Sequence, residues 1–261
     1  MKKFYVVGKN ASKSLSPTIF NYWFKKYKIN ARYGFLELSE TNFDKKIQLV
    51  IKNKETQGLN ITIPFKQKIL KHIDSLNKHA RLINAVNCVT IGSKIEGTNT
   101  DWEGYYKTLP KIKNLKRKNV IIVGYGGAAL AIHYVLKIKG FKNILIFNRS
   151  RKKIRFTTKT IFTKDLRTLN DHLNKAEIII NTTPTNPINK KNLKNIDTNV
   201  ILSDIVYNPK ETSFLKPFAK NKKIYGMSML TQQAALCFRL WFGFKPSIDQ
   251  KLIEILDKKK L

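Results

Sequence analysis

Short apolar runs rich in β-formers alternate with amphipathic stretches through the first hundred residues: KKFYVVG, PTIFNYWFKKY, ARYGFLEL, TNFDKKIQLVIKN, LNITI and AVNCVTI. Runs of β-branched and aromatic residues read as strands. Apolar residues at three- and four-residue spacing read as helices that cover a sheet. This alternation predicts βα units and a largely parallel sheet. Ser16 before Pro17 predicts a helix start, the serine capping free amides and the proline fitting the first turn. A further helix is expected over residues 100–108, after which PKIKNLKRKN breaks the pattern and puts a domain boundary near Lys111.

A second series opens with NVIIVGYGGAALAIHYVLKIKG and continues through NILIFNR, AEIIINTTP and NVILSDIVY, the pattern of a doubly wound sheet. The last stretches, SMLTQQAALCFRLWFG and PSIDQKLIEILDK, have helical spacing with no strand between them and could pack on either half. The fold class expected is therefore α/β.

At 261 residues with 42% hydrophobic side chains, the chain can bury one large core or two modest ones. No stretch approaches the run of about 18 apolar residues that a membrane helix needs, and FYVVG leaves no room for the apolar region of a signal peptide. A cytoplasmic protein without a membrane partner is expected. Cys88 and Cys237 lie in apolar runs without CxxC spacing, so they read as small buried hydrophobes, with no metal site and no disulfide framework.

The net charge of +33 raises the possibility of a basic nucleic-acid-binding protein, since clustered Lys and Arg gain affinity by releasing counterions from phosphates. The lysines are instead spread over every segment and accompany abundant Asn and Ile, as a coding bias toward A and T would produce. A dedicated nucleic-acid partner is not expected. The excess charge still draws small anions toward any cleft.

Gly124, Gly126 and Ala129 form G-x-G-x-x-A between an apolar strand and an apolar helix. The first glycine would permit a tight turn, the second would let backbone approach a pyrophosphate, and the alanine would allow close helix packing. Gly127 and Ala128 complete the candidate cofactor loop. The following strand leads into Asn148, Arg149, Ser150, Arg151, Lys152 and Lys153, where an NAD site would carry a carboxylate for the ribose hydroxyl. Cations pair with a 2′-phosphate and a carboxylate repels it, so NADP is the expected cofactor, with Asn148, Arg149, Ser150 and Lys153 at its phosphate.

Polar clusters SKSLSP, NITIPFK, NAVN, GTNTD and MLTQQAA, in order with GYGGAA, NRS, INTTP and DIVYNP, resemble the NADP-dependent shikimate dehydrogenase family over nearly the whole chain. The resemblance implies a substrate-binding domain over residues 1–110, a Rossmann-like NADP domain over 111–226, and C-terminal helices over 227–261 that return to the first domain, with the active site in a cleft. The family's catalytic lysine and aspartate fall on Lys66 and Asp101. Its substrate contacts fall on Ser14, Ser16, Thr62, Asn87, Tyr207 and Gln233, and further cofactor contacts on Asn181, Thr182, Gly226 and Met229. A lysine can pass a proton to the alkoxide that forms when a ketone accepts hydride, and a neighbouring carboxylate would hold that ammonium in place.

The implied substrate is a small molecule, shikimate or 3-dehydroshikimate, and the implied assembly a monomer or homodimer. Four departures stand out. Lys13 replaces a frequent histidine, Tyr125 replaces the usual alanine between the loop glycines, and Trp102 replaces a common glycine. The segment 154–177 is short for a helix, a strand and a helix. A quinate/shikimate dehydrogenase of broader specificity is the alternative within the same chemistry.

Overall fold

The computed structural model describes residues 1–156, 159–188 and 194–259, which divide into two compact units. The first comprises residues 1–104 and 230–261, and the second residues 105–229.

In the first unit the chain runs β1 (Lys2–Gly8), α1 (Ser16–Lys26), β2 (Ala31–Glu37), α2 (Phe43–Lys52) and β3 (Thr56–Ile61) as expected. It continues with β4 (Ser75–Leu76), α3 (Lys78–Ile83), β5 (Cys88–Ile91), β6 (Ile95–Thr98) and α4 (Asp101–Thr108), the last residues of α4 falling in the second unit. The sheet order is β2-β1-β3-β5-β6-β4. Among the described strands β5 alone runs against the rest, pairing antiparallel with both β3 and β6. The expectation of a largely parallel sheet holds except there, because three residues between Ile91 and Ile95 can close a hairpin but cannot carry a crossover.

Alternation along β1 sends Phe4 to one face and Val7 to the other. Phe4 meets an aromatic layer built from Phe20, Trp23 and Phe24 of α1 and Phe238, Trp241 and Phe242 of the C-terminal helix, with Phe20 stacked 4.4 Å from Tyr33. Val7 joins Phe43, Ile47, Leu59, Ile61 and Phe65 beneath α2. Each such buried side chain contributes about 1.5–3 kcal/mol of transfer free energy. Ser16 is already the first helical residue of α1, so it does not cap. Ser14 Oγ accepts the Ser16 amide at 3.1 Å instead.

The second unit contains β7 (Asn119–Val123), α5 (Gly127–Lys139), β8 (Asn143–Asn148), β9 (Lys153–Phe156), β10 (Lys159–Phe162), β11 (Lys164–Asp165), β12 (Ile178–Asn181), β13 (Ile201–Asp204) and β14 (Lys223–Tyr225). Its main sheet is parallel throughout, in the order β11-β8-β7-β12-β13-β14. The winding direction reverses between β7 and β12, and the loops after those two strands flank the crevice where such sheets bind ligands. The short segment 154–177 holds no α-helix among its described residues. An antiparallel hairpin of β9 and β10, the two-residue β11 and a 3-10 run over Leu166–Lys175 take its place.

Helix α6 (Gly226–Phe242) starts in the second unit and ends in the first, and α7 (Gln250–Lys258) belongs to the first. Asp249 caps α7 through the Leu252 amide and receives Tyr22 Oη and Lys26 Nζ of α1. These contacts hold its carboxyl at about 2. No helix among the described residues is long and apolar enough to cross a membrane.

His133 lies on α5 with 2% of its surface exposed, and burial lowers its pKa to about 4, with Lys137 adding to the shift. An unfolded histidine titrates near 6.5. The native state therefore resists a proton that the unfolded chain accepts, and stability present above about pH 6.5 is lost as pH falls toward 4. At pH 5 the loss relative to pH 7.5 is expected to be about 2 kcal/mol. His133→Leu should remove most of that difference in urea unfolding curves recorded at the two pH values, and an unchanged difference would assign the acid sensitivity to other groups.

Candidate active site and cofactor loop

Lys66 follows β3, and the Val86 amide bonds to its backbone carbonyl at 2.8 Å, tying the lysine to the segment that enters β5. Asp101 opens α4 directly after β6. The β5–β6 hairpin aligns Cys88 with Thr98, which sets Asn87 beside Thr100 and Asp101. In this arrangement Lys66 Nζ donates to Asp101 Oδ2 at 2.5 Å, with the two residues 9% and 4% exposed. Thirty-five positions of sequence separate them. An ion pair so buried tolerates no loss of either partner, because the other would remain charged and uncompensated.

Asn87 orients the carboxylate. Its Oδ1 accepts the Thr100 amide at 2.6 Å, which leaves Nδ2 to face Asp101 Oδ1 at 2.9 Å, Thr100 Oγ1 at 3.0 Å and Gln233 Oε1 at 3.2 Å. Both Asp101 oxygens are thus engaged from different sides. Gln233 reaches the cluster from α6 because Gly104 of α4 has no side chain. A Cβ there would lie 2.9 Å from Gln233 Cβ and 3.0 Å from its backbone nitrogen.

Sequence reasoning missed the layer behind these groups. Tyr33 Oη donates to Asn60 Oδ1 at 2.6 Å, and Asn60 Nδ2 donates to the Asn87 carbonyl at 3.1 Å and to Cys237 Sγ at 3.0 Å. Cys237 also meets Thr100 Oγ1 at 3.1 Å. Both cysteines are free and buried, as their apolar surroundings suggest, and burial pushes the Cys88 thiol well up. The available signal was Asn60 itself, a polar residue inside an apolar strand.

Of the remaining substrate candidates, Ser14 and Ser16 share the turn into α1. Thr62 is half-buried just past β3, its amide bonded to the Val7 carbonyl at 2.9 Å. Tyr207 is half-buried in the loop after β13, in the second unit.

The glycine loop follows β7. Gly124 has φ +93°, and a Cβ on it would sit 2.5 Å from Thr182 Oγ1. Gly126, in contrast, faces open space, and no side chain caps α5. The amides of the first turn, including those of Gly127 and Ala128, are therefore free to receive an anion. The open space at Gly126 and the uncapped first turn of α5 are the features that the glycine spacing predicts. After β12 the side chains of Asn181 and Thr182 are spent on the loop itself. Asn181 Oδ1 accepts from the Thr183 amide at 3.0 Å and hydroxyl at 2.7 Å, while Thr182 Oγ1 donates to the Val123 carbonyl at 2.6 Å. Gly226 opens α6 pressed against the Ile205 carbonyl, where a Cβ would meet oxygen at 2.4 Å, and Met229 is buried one turn on.

At the end of β8, Asn148 Nδ2 closes a turn onto the Ser150 carbonyl at 2.9 Å, presenting Arg149, Ser150, Arg151, Lys152 and Lys153 to solvent. No carboxylate stands among residues 148–153.

Residues 6–89 match the model of the shikimate dehydrogenase substrate binding domain, and residues 107–213 match that of shikimate / quinate 5-dehydrogenase. A shikimate dehydrogenase (NADP(+)) from Caldicellulosiruptor saccharolyticus is 34% identical over 274 residues, covering 98% of each chain. The chain belongs to the shikimate dehydrogenase family.

Solved members of the shikimate dehydrogenase family share the fold. A shikimate dehydrogenase from Peptoclostridium difficile superposes with a TM-score of 0.84 at 28% identity, covering 98% of this chain and 97% of the other. Another from Thermus thermophilus, in complex with NADP(H) and shikimate, gives 0.79 at 25% identity and 99% coverage of both. Two departures from the shikimate dehydrogenase pattern have structural counterparts. Tyr125 is buried, and burial pushes its phenol up. Trp102 stacks on His79 of α3 with ring centroids 4.3 Å apart. Lys13 is exposed at the end of a short 3-10 turn.

Proposed function

We propose that the chain catalyses the reversible NADPH-dependent reduction of 3-dehydroshikimate to shikimate, with the first unit holding the substrate and the second the cofactor. The observation that carries this reading is the buried Lys66–Asp101 pair inside a cluster of hydrogen-bonding side chains. NADPH, when bound, supplies the hydride. Lys66 gives its proton to the ketone oxygen as that oxygen becomes an alkoxide, and Asp101, held by Asn87, keeps the ammonium aimed. In the oxidative direction the lysine takes the proton back.

Ser14 and Ser16 offer hydroxyls to the ring carboxylate. Thr62, Asn87, Asp101 and Gln233 serve the ring hydroxyls, with Tyr207 as a further contact. A substrate lacking those hydroxyls would leave buried donors and acceptors unpaired, which discriminates strongly against it. On the cofactor side, the free amides of α5 take the pyrophosphate, and Arg149, Ser150 and Lys153 take the 2′-phosphate around the Asn148 turn. Asn181 and Thr182 shape the loop beside them, and Gly226 and Met229 complete the cofactor site. The reading extends to a cytoplasmic enzyme.

A spectrophotometric assay tests the proposal. Activity with 3-dehydroshikimate and NADPH, and with shikimate and NADP+, should far exceed that with quinate and NAD+. Equal rates with the two pairs would instead establish a quinate/shikimate dehydrogenase. Gly104→Val should force the Gln233 backbone away from α4 and loosen one wall of the cluster. Its KM for shikimate is expected to rise up to about tenfold, the size of one hydrogen bond from Gln233 lost to the substrate. Its KM for NADP+ should stay near wild type, and steady-state kinetics with each substrate varied separately reads both.

A further inference from the structure

The β9–β10 hairpin in the short segment after β8 bears on the basic turn. Phe162, at the end of β10, is 49% exposed. The Arg151 guanidinium lies over its ring, 4.4 Å from the centroid. The hairpin register also sets Phe162 directly opposite Lys153. The next residue, Thr163, continues the ladder. Its amide donates to the Lys152 carbonyl at 3.0 Å, its Oγ1 accepts the Lys152 amide at 2.8 Å, and that hydroxyl donates to the Ser150 carbonyl at 3.3 Å. Every residue from Ser150 to Lys153 therefore has a backbone or side-chain tie to Phe162 or Thr163.

We propose that Phe162 and Thr163 are positioning residues that pre-order the turn Arg149–Lys153, and that Arg151, seated on Phe162, is a further cation of the adenosine 2′-phosphate subsite. The hairpin then sets the preference for NADP over NAD. This rests on the reading of residues 148–153 as the 2′-phosphate site. A flexible arginine loses rotamer freedom on pairing with a phosphate, and an aromatic ring that already holds its guanidinium reduces that loss. An exposed ring beneath a cation also keeps the charge accessible to an anion above it.

The test is calorimetric titration of the full chain with adenosine 2′,5′-bisphosphate and with 5′-AMP, which differ at the 2′-phosphate. Wild type should bind the bisphosphate more tightly. Phe162→Ala should weaken bisphosphate binding about two- to fivefold, the size of an exposed cation–π contact, while 5′-AMP binding changes less than the error. Phe162→Tyr should restore the wild-type ratio. Thr163→Val should act in the same direction as Phe162→Ala, and Thr163→Ser, which keeps the hydroxyl, should not. Thermal unfolding of each variant checks folding: Phe162 is 49% exposed, so its variants should lose little stability, whereas Thr163 is buried and Thr163→Val gives up two hydrogen bonds, so its binding is read on the folded fraction. A wild type that binds both probes equally would overturn the 2′-phosphate site and this proposal together. A selective wild type whose selectivity survives Phe162→Ala and Thr163→Val would overturn the hairpin's role alone.

Discussion

Lys66→Ala is expected to lower kcat about a thousandfold while leaving KM for shikimate within a few-fold of wild type. General acid–base catalysis by a positioned side chain contributes about 10²–10⁴. The loss falls on kcat because the lysine acts on charge that develops in the transition state, whereas the substrate is held by groups the variant retains. The same substitution strips Asp101 of its cation and leaves the carboxylate on the Asn87 amide, 4% exposed. Breaking a buried pair in this way costs about 3–5 kcal/mol of stability. Rates should therefore be normalised to folded enzyme, counted by coenzyme binding, and a thermal melt should show the destabilisation separately. A variant that turns over at the wild-type rate would move the proton transfer to another group.

Gly124→Val is expected to damage the second unit twice. The residue has φ +93°, a region from which β-branched side chains are nearly excluded, and its Cβ would press to 2.5 Å of Thr182 Oγ1 and 2.9 Å of Thr183 Cγ2. Strain and displacement together should remove about 2–4 kcal/mol of stability, and the distorted turn should weaken NADP+ more than tenfold. Gly126→Ala makes the contrast. Its Cβ meets nothing within 4 Å and its φ of −97° suits any residue, so unfolding should shift by less than about 0.5 kcal/mol. NADP+ should still bind more weakly, because the added methyl would enter the open space proposed above for the pyrophosphate. Urea unfolding paired with NADP+ titration separates the two glycines. Equal loss of stability in both variants would contradict the geometry of the loop.

How much of this was readable in the residues varies from element to element. The β7–loop–α5 unit was legible because an apolar run, a glycine turn and an apolar helix are contiguous, so local rules suffice. The β5–β6 hairpin was missed because AVNCVTI fits the rhythm of the preceding βα units, although the brief GSK link to Ile95 argues against a crossover. The β9–β10 hairpin was hidden by the lysine-rich background, in which KKIRF carries little alternation. Ser-Pro is a strong cap signal at Ser16, but the helix begins one residue sooner than that signal implies, with Leu15 at the N-cap, no side-chain cap, and Ser14 Oγ accepting the Ser16 amide.

At the site, the meeting of Lys66 and Asp101 could not come from spacing, since their separation reflects a strand, a helix and a hairpin folded between them. Family resemblance supplied it, and the hydrogen bond gives it physical form. Thr100, Asn60 and Cys237 stayed invisible because their importance is relational. Each matters through the polar atom it satisfies on a neighbour.

The way Asn87 is held makes the site vulnerable to a change of a single atom. Thr100 presents a backbone N–H to one side of the amide, while Asp101 and Gln233 turn oxygens toward the other. Spontaneous deamidation would exchange the nitrogen for oxygen, so an ageing enzyme would acquire a second carboxylate face to face with Asp101 and a rival for the charge of Lys66. One dalton of extra mass on that peptide would then track inactivation, even though the outline of the side chain hardly changes.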